Sequence, residues 1–211
     1  MPIRSRFKRC EKAVVTFVIL IAVLTACTTA PEALEGFEAL EPSTMMEAPA
    51  PDADRQAAYD PQVVQRGKYL VELLSCGSCH TDGALVGQPV AARSLAGSHV
   101  GIAWSDPIEN RNPGVVYPSN LTPDMETGLG SWTDWQIKQV IRTGIDKHGS
   151  QSLPVMPFPA YARISEEDAD AMVAYLRSLA PVRHLVPYNV NPGQKAPSRF
   201  VHFGVYQSRE Q

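Results

Sequence analysis

The sequence lacks several patterns that identify common classes of protein. Only four of its 211 residues are cysteines, which leaves no extended disulfide framework to propose. No stretch of useful length alternates apolar and polar residues, and no internal repeat is visible. No apolar run reaches the roughly 20 residues that a transmembrane helix needs. These absences leave one domain of ordinary size in a chain that is 44% apolar, with a short hydrophobic run near its start.

That hydrophobic run follows a basic segment at the N-terminus. Five Lys and Arg residues precede it, and the run itself covers residues 13–24. This order is typical of the n-region and h-region of a secretory signal peptide. The run ends in Leu24-Thr25-Ala26-Cys27, which resembles the lipobox of bacterial lipoproteins. We therefore expect residues 1–26 to be removed and Cys27 to carry a lipid anchor; a plain signal peptide with an incidental cysteine is the alternative.

A lipoprotein of this kind is expected on the periplasmic side of a bacterial membrane. Thr28 stands where the inner-membrane sorting pattern has Asp, which favours the outer membrane. Residues 1–26 hold five basic residues and one acidic residue, so 14 Lys and Arg and 21 Asp and Glu remain after their removal, a net charge of −7. This acidic balance lacks the basic footprint of a nucleic-acid-binding protein, and no nucleic-acid partner is expected.

Composition divides the exported chain into three parts. Residues 27–58 are rich in Pro, Ala and Glu and are predicted to form a flexible acidic linker. Residues 59–186 carry helical patterns, and residues 187–211 form a C-terminal tail that wraps the domain or binds a partner. The predicted fold class is all-α, with three or more helices and long loops.

Three helices are predicted from capping residues and apolar spacing. Gly67 lies inside the first and is expected to permit close approach of another helix, while Gln136 completes a capping box in the second. The predicted N-caps are Asp60, Thr133 and Ser165, and the predicted ends lie at Cys76, Gly144 and Pro181. Three helices with long loops bury little apolar surface alone, so we expect a bulky apolar group to complete the core.

Residues 76–80 read Cys-Gly-Ser-Cys-His, the attachment pattern of a c-type haem. In this pattern Cys76 and Cys79 form thioethers with the haem vinyl groups, and His80 is the proximal iron ligand. A thioredoxin-like dithiol shares the cysteine spacing, but it opens a helix in a βαβ unit, whereas this motif is predicted at the end of a helix. A structural zinc site needs a second ligand pair at short spacing, which the sequence lacks.

The sixth ligand of the iron is predicted to be Met156, which lies among prolines in Leu-Pro-Val-Met-Pro-Phe-Pro. A stiff loop suits a weak thioether ligand, and methionine opposite histidine raises the haem potential. We expect a backbone carbonyl to accept the ring N–H of His80, with Pro89 as the candidate. The rival histidine ligands, interpreted instead as surface or hydrogen-bonding residues, are His99, His148, His184 and His202.

Three stretches resemble the cytochrome c subunits of bacterial membrane-bound alcohol, sugar and aldehyde dehydrogenases. They are CGSCH, NLTPDMETGLGSWTDWQIKQVIRTGI and VMPFPAYARISEEDADAMVAYLRSLAPV, and the resemblance covers about residues 60–187. It implies a class I cytochrome c domain wrapped around one covalent haem c, with His80 and Met156 as ligands. Many such subunits contain three haem domains, whereas this chain has one C-x-x-C-H motif and resembles a single module.

The resemblance implies an electron carrier rather than an enzyme. Such a carrier passes single electrons from a periplasmic or membrane-bound dehydrogenase to another cytochrome or an oxidase. It is either an independent carrier or the electron-transfer subunit of a dehydrogenase complex. The alternative is a haem enzyme or sensor with an open or labile sixth position. A dithiol oxidoreductase without haem is a third class, which a purified protein with no covalent haem but a reducible Cys76–Cys79 disulfide would establish.

Overall fold

The structure, a computed structural model, describes residues 47–104 and 114–202. The predicted signal peptide, Cys27 and most of the predicted linker lie outside the described residues. The α-helices within them are α1 (Ala53–Gln56), α2 (Pro61–Leu73), α3 (Cys76–His80), α4 (Asp134–Thr143), α5 (Phe158–Tyr161) and α6 (Glu166–Ser178), and two short 3-10 helices cover Ala84–Val86 and Ala91–Arg93. The strands are β1 (Gly101–Trp104), β2 (Gly114–Val116) and β3 (Phe200–His202). Within these ranges, no helix has the length and apolar character needed to cross a membrane.

Helices α2 and α6 pack against each other at the centre of the domain. Their buried side chains, with others from α4 and the loops, form the main hydrophobic core. A Cβ atom at Gly67 would lie 1.9 Å from the carbonyl oxygen of Ala171 and 2.7 Å from Cβ of Tyr175. Only glycine therefore allows the two backbones to approach this closely, as predicted for Gly67.

The predicted helix starts are confirmed. Asp60 accepts a hydrogen bond from the Gln62 amide at 2.8 Å ahead of α2, and Ser165 caps α6 in the same manner. Thr133 and Gln136 form the reciprocal capping box of α4, and Gly144 ends that helix with a φ of 73°. Short-range sequence signals therefore determine where these helices begin.

Helix α2 ends at Leu73, earlier than the predicted end at Cys76. Ser75 adopts a φ of 53°, in the left-handed region, and so separates α2 from α3. The Cys-x-x-Cys-His motif therefore forms its own short helix, and the prediction that it continues the end of a longer helix is wrong. The structural distinction from a thioredoxin-like site then rests on the absence of a βαβ unit around the motif in the described residues.

A small sheet corrects the expectation of an all-α fold. Its strand order is β2-β1-β3, with β1 antiparallel to β2 and parallel to β3. The three strands hold four, three and three residues, too few to produce a recognisable alternation of apolar and polar residues. The described part of the chain is thus a domain of several helices with a small sheet beside them.

The chain ahead of the expected domain boundary at Tyr59 also packs on the domain. Tyr175 donates its hydroxyl to the carbonyl oxygen of Pro49 at 2.7 Å, and the Asp52 amide donates to the carbonyl oxygen of Ser178 at 2.8 Å. Residues 47–58 are therefore held against α6 rather than forming a separate segment.

The described part of the C-terminal tail lies on the sheet. Val190 and Val115 exchange backbone hydrogen bonds of 2.9 Å, and β3 pairs with β1. The hydroxyl of Tyr117 donates to the carbonyl oxygen of Ser198 at 2.9 Å. Of the two roles expected for the tail, its described residues fulfil the first, since they wrap the domain.

Candidate functional site

Helix α3 carries the three motif residues, with both cysteines half-buried and His80 buried. Burial raises the pKa of the Cys76 thiol to about 11, and it also raises the pKa of Cys79. A redox dithiol depends on a thiolate at neutral pH, which positive charge or a helix N-terminus usually provides by lowering the pKa. These neutral, half-buried thiols therefore do not favour dithiol chemistry, while their spacing fits attachment to haem.

His80 is held in one orientation by the backbone. Its Nδ1 lies 2.7 Å from the carbonyl oxygen of Ser119, so Nδ1 carries the proton and donates, and Nε2 is the nitrogen left for a metal. Burial lowers the pKa of His80, and the hydrogen bond to Ser119 only partly opposes it. The imidazole is therefore neutral, as a metal ligand must be. The prediction of Pro89 as the accepting residue is wrong, because the loop containing Ser119 supplies the carbonyl.

Ser119 is the first residue of a tightly bonded segment, residues 119–130, which we call the Ser119 loop. Asn120, 1% exposed, accepts hydrogen bonds from the amide and hydroxyl of Thr122 at 2.9 and 2.7 Å. Its Nδ2 donates to Thr127 Oγ1 at 3.0 Å and to the carbonyl oxygen of Val182 at 2.8 Å. A fully bonded amide thus fixes the backbone that orients His80.

Asn120 and Thr122 were missed as positioning residues. Asp124 makes a local turn contact in the same stretch, since it accepts a hydrogen bond from the Thr127 amide at 2.7 Å. The only signal for the larger role is an Asn-x-Thr spacing, which says nothing of its distant partner Val182.

The backbone that follows the His80 side chain is also held by hydrogen bonds. Its carbonyl oxygen accepts from the Gly97 amide at 2.8 Å, and the buried Thr81 hydroxyl accepts from the Leu95 amide at 3.1 Å. Burial acts to raise the pKa of the nearby Asp82, but hydrogen bonds from the His99 amide and from Arg93 outweigh it, so the pKa lies below its usual value. The proximal histidine candidate therefore lies in a rigid polar frame.

Met156 is half-buried in a segment of residues 145–157, which we call the Met156 loop. The Tyr161 hydroxyl, five residues later, donates to the carbonyl oxygen of Leu74 at 3.3 Å. Burial raises the pKa of Tyr161 to about 12, and the nearby Cys76 and Cys79 add to the effect. The chain that follows Met156 therefore lies beside the two cysteines of the motif.

The rival histidines fall into two groups. His184 is buried, and its Nε2 lies 3.0 Å from Nδ1 of His99, so these two side chains contact each other. His148 and His202 are exposed. The prediction that each of these four histidines is a surface or hydrogen-bonding residue agrees with these positions.

The fold and the motif define a class: a small helical domain that carries two half-buried cysteines and an anchored histidine on one short helix. The chain belongs to the cytochrome c family, whose model matches residues 64–180. Membership implies covalently bound haem c. The donor set fits it, since a neutral His80 presents Nε2 and the two thiols have the Cys-x-x-Cys sequence spacing of haem attachment.

Within this family, the chain is similar to several cytochrome subunits of dehydrogenases. Over 124 residues the chain is 37% identical to the cytochrome c subunit of a quinone-type alcohol dehydrogenase from Gluconobacter oxydans, covering 58% of this chain and 23% of that protein. It is 36% identical over 131 residues to the gluconate 2-dehydrogenase cytochrome c subunit of Pantoea cypripedii, covering 62% and 26%. The fructose dehydrogenase cytochrome subunit of Gluconobacter japonicus is 35% identical over 120 residues, covering 57% and 22%. The chain thus spans about a quarter of the length of these relatives.

Proposed function

We propose that this chain is an electron-transfer cytochrome c in which Cys76 and Cys79 hold the haem and His80 is its proximal ligand. The observation that carries the proposal is the hydrogen bond of 2.7 Å between His80 Nδ1 and the carbonyl oxygen of Ser119. It fixes the tautomer and leaves Nε2 as the coordinating atom, as ligating histidines in metal sites require. When bound, haem c supplies a one-electron couple of ferrous and ferric iron.

Met156 is the distal ligand in this proposal. A methionine that keeps the sixth position filled excludes substrates from the metal, which suits a carrier and not a haem enzyme or sensor. Two observations support the assignment: its stretch contains three prolines, and Tyr161 connects the same segment to the backbone beside the motif. The thioether is a weak ligand, so the protein chain must hold it in place.

The donor is proposed to be a periplasmic or membrane-bound dehydrogenase, and the acceptor another cytochrome or an oxidase. Support for the donor comes from the relatives, which are named as cytochrome subunits of alcohol, gluconate and fructose dehydrogenases. The match covers about a quarter of each relative, and in this proposal the chain is either a fixed subunit of the dehydrogenase or a separate carrier.

A lipid on Cys27 is proposed to hold the protein on the periplasmic side of a membrane, with the outer membrane favoured by Thr28. The support is the order of the basic segment, the apolar run and Leu-Thr-Ala-Cys in the sequence. Several acyl chains on one cysteine bind a bilayer stably, whereas one chain binds it only marginally.

The optical spectrum of the full haem-loaded chain tests the ligation. We expect a low-spin ferrous spectrum that carbon monoxide leaves unchanged, because His80 and Met156 fill both axial positions. Met156→Ala should convert it to a high-spin form that binds carbon monoxide. Met125→Ala is the matched control, since Met125 is 67% exposed and should leave the spectrum unaltered.

Two results would contradict this assignment. Rapid binding of carbon monoxide by the unmodified protein would favour the haem enzyme or sensor. An unchanged spectrum in Met156→Ala would mean that another residue is the distal ligand.

The anchor is tested separately by fractionation. Cys27→Ser should move the protein from the detergent-soluble membrane fraction to the periplasmic extract while its spectrum stays the same. Retention of the variant on membranes would refute a lipid anchor without touching the assignment of the haem ligands.

A further inference from the structure

A second group of metal-ligating side chains lies outside the haem-binding motif. Asp82 follows the motif, His99 lies before β1, and His184 lies in the segment after α6. His184 Nε2 is 3.0 Å from His99 Nδ1 and 3.7 Å from Asp82 Oδ2, and His99 Nδ1 is 3.5 Å from the same Asp82 oxygen. One possible ligand atom from each residue therefore lies within 4.8 Å of the other two.

His184 is prepared for coordination by the backbone. Its side chain is 6% exposed, and its Nδ1 lies 2.9 Å from the carbonyl oxygen of Ala96, to which it donates its proton. This bond fixes the tautomer with a lone pair on Nε2, the atom that points at His99 and Asp82. Histidine ligands of metals are commonly held in this way by a carbonyl group.

Asp82 is also fixed in position. Its Oδ1 accepts from the His99 amide at 2.9 Å, and its Oδ2 accepts from Nη1 of Arg93 at 2.6 Å. A carboxylate has about four lone-pair positions, so Oδ2 retains one for a metal beside the arginine. The arginine charge opposes binding of a cation, which limits the affinity expected of the site.

The distances match the requirements of zinc. Nitrogen and oxygen ligands lie at about 2.0–2.1 Å from a tetrahedral Zn²⁺, which puts two ligands roughly 3.3 Å apart. The three observed separations run from 3.0 to 3.7 Å around that value. The side chain of His99 is 45% exposed, so the fourth position faces solvent and a metal ion can enter from that side.

We propose that Asp82, His99 and His184 bind a divalent transition metal ion, with Zn²⁺ as the best fit and water as the fourth ligand. This site is distinct from the haem and does not depend on the function proposed for it. Its ligands come from three separate segments, all of which border the backbone around His80. A bound ion would join the segment after α6 to the loop that follows the motif.

Isothermal titration calorimetry of ZnCl₂ into the full haem-loaded chain, solubilised in detergent, tests the proposal. We expect saturable one-to-one binding in the micromolar range at neutral pH. His99→Gln should weaken it roughly tenfold or more, since one ligand of three is lost. His148→Gln is the matched control, because His148 is also exposed but lies outside the group, and it should bind zinc as the unmodified chain does.

Three outcomes would overturn the proposal: no saturable binding, equal binding by His99→Gln, or equal weakening in His148→Gln. Because the side chain of His99 is 45% exposed, His99→Gln should fold normally, and circular dichroism checks this. X-ray absorption at the zinc edge gives the second readout, in which two imidazoles and two oxygen ligands are expected. A first shell with sulfur, or without imidazole, would contradict the proposed ligand set.

Discussion

The Ser119 loop and the Met156 loop lie at the two proposed axial positions of one haem, yet they are built differently. In the Ser119 loop, Asn120 and Thr122 are each 1% exposed and are bonded to Val182, some sixty residues away in sequence. In the Met156 loop, the bonds are local: Asp146 accepts from the amides of His148 and Ser150 at 2.8 and 2.9 Å. One loop is tied into the domain, whereas the other is mainly tied to itself.

This difference matches the ligands that each loop is proposed to supply. Histidine is a strong iron ligand whose orientation must be fixed. The hydrogen bond from His80 to Ser119 fixes it, and the buried bonds of Asn120 hold Ser119 in place. Methionine is a weak ligand on a loop with exposed residues and few long-range bonds. Segments of that kind open locally at a lower cost than the global unfolding free energy. The distal side is therefore expected to be where ligation first fails under stress.

Asn120→Ala is the change expected to have the largest effect on stability. It removes four hydrogen bonds and leaves the buried amide of Thr122 without its acceptor. We expect a loss of about 2–4 kcal/mol in the free energy of unfolding, measured by denaturant titration of the haem-loaded chain. If the Ser119 loop is the more firmly bonded of the two, this loss of unfolding free energy should exceed the loss caused by any single substitution in the Met156 loop, Met156 itself excepted.

Asn191→Ala is the control for this prediction, because Asn191 is an exposed asparagine in the C-terminal tail. It should change the unfolding free energy by less than about 0.5 kcal/mol. If Asn120→Ala is as mild as the control, the bonds of the Ser119 loop are not what stabilises the proximal side, and the contrast between the loops fails.

The same contrast explains what was predictable from the sequence. The caps at Asp60, Thr133 and Ser165 and the stop at Gly144 were found because the signal and the structure lie within a few residues of each other. The cysteine motif was found for the same reason.

Features that depend on distant partners were not found. The carbonyl group of Ser119 has no side-chain signature, and it meets His80 across 39 residues. The strands are too short to show periodicity, and β3 joins β1 from the far end of the chain. Packing of residues 47–58 on α6 likewise depends on backbone groups, which a composition rich in Pro and Ala does not reveal.

Arg142→Gln should have an intermediate effect, confined to the distal side. Arg142 at the end of α4 donates through Nη2 to the carbonyl oxygens of Ile164 and Ser165, both at 2.8 Å, so it joins the two segments that flank the Met156 loop. We expect about 1–2 kcal/mol of destabilisation. Hydrogen exchange should become faster in residues 145–157 and stay the same in residues 119–130.

Arg163→Gln is the control here, since Arg163 is an exposed arginine between α5 and α6. It should leave exchange in both loops unchanged. Faster exchange in the Ser119 loop of Arg142→Gln would mean that the two loops open together, and the distal side would then have no separate stability.

Acid should weaken the contact between α4 and the start of α6, with a smaller effect on stability than Arg142→Gln. Hydrogen bonds from Lys138 and then from Arg142 lower the pKa of Glu166 below its usual value, against a small opposing effect of burial. A lowered pKa in the folded chain means that the carboxylate stabilises the fold above the pKa of the unfolded chain, about 4.3, and loses that effect as the pH falls through the folded value. Glu166→Gln should therefore lower the denaturation midpoint at pH 7 and lose this difference from the unmodified chain as the pH approaches 3.

Glu167→Gln separates this contact from general acid effects, because Glu167 is the exposed neighbour in the same first turn of α6. The denaturation midpoint of Glu167→Gln should differ little from that of the unmodified chain at pH 7. That small difference should not disappear as the pH approaches 3. The pairs that Lys138 and Arg142 form with Glu166 join α4 to the start of α6, the elements that flank the Met156 loop. The bonds from His80 to Ser119 and from Asn120 to Val182 involve neutral groups. Acid that loosens hydrogen exchange in residues 145–157 before residues 119–130 would therefore extend the contrast between the loops from packing to charge, and the reverse order would refute it.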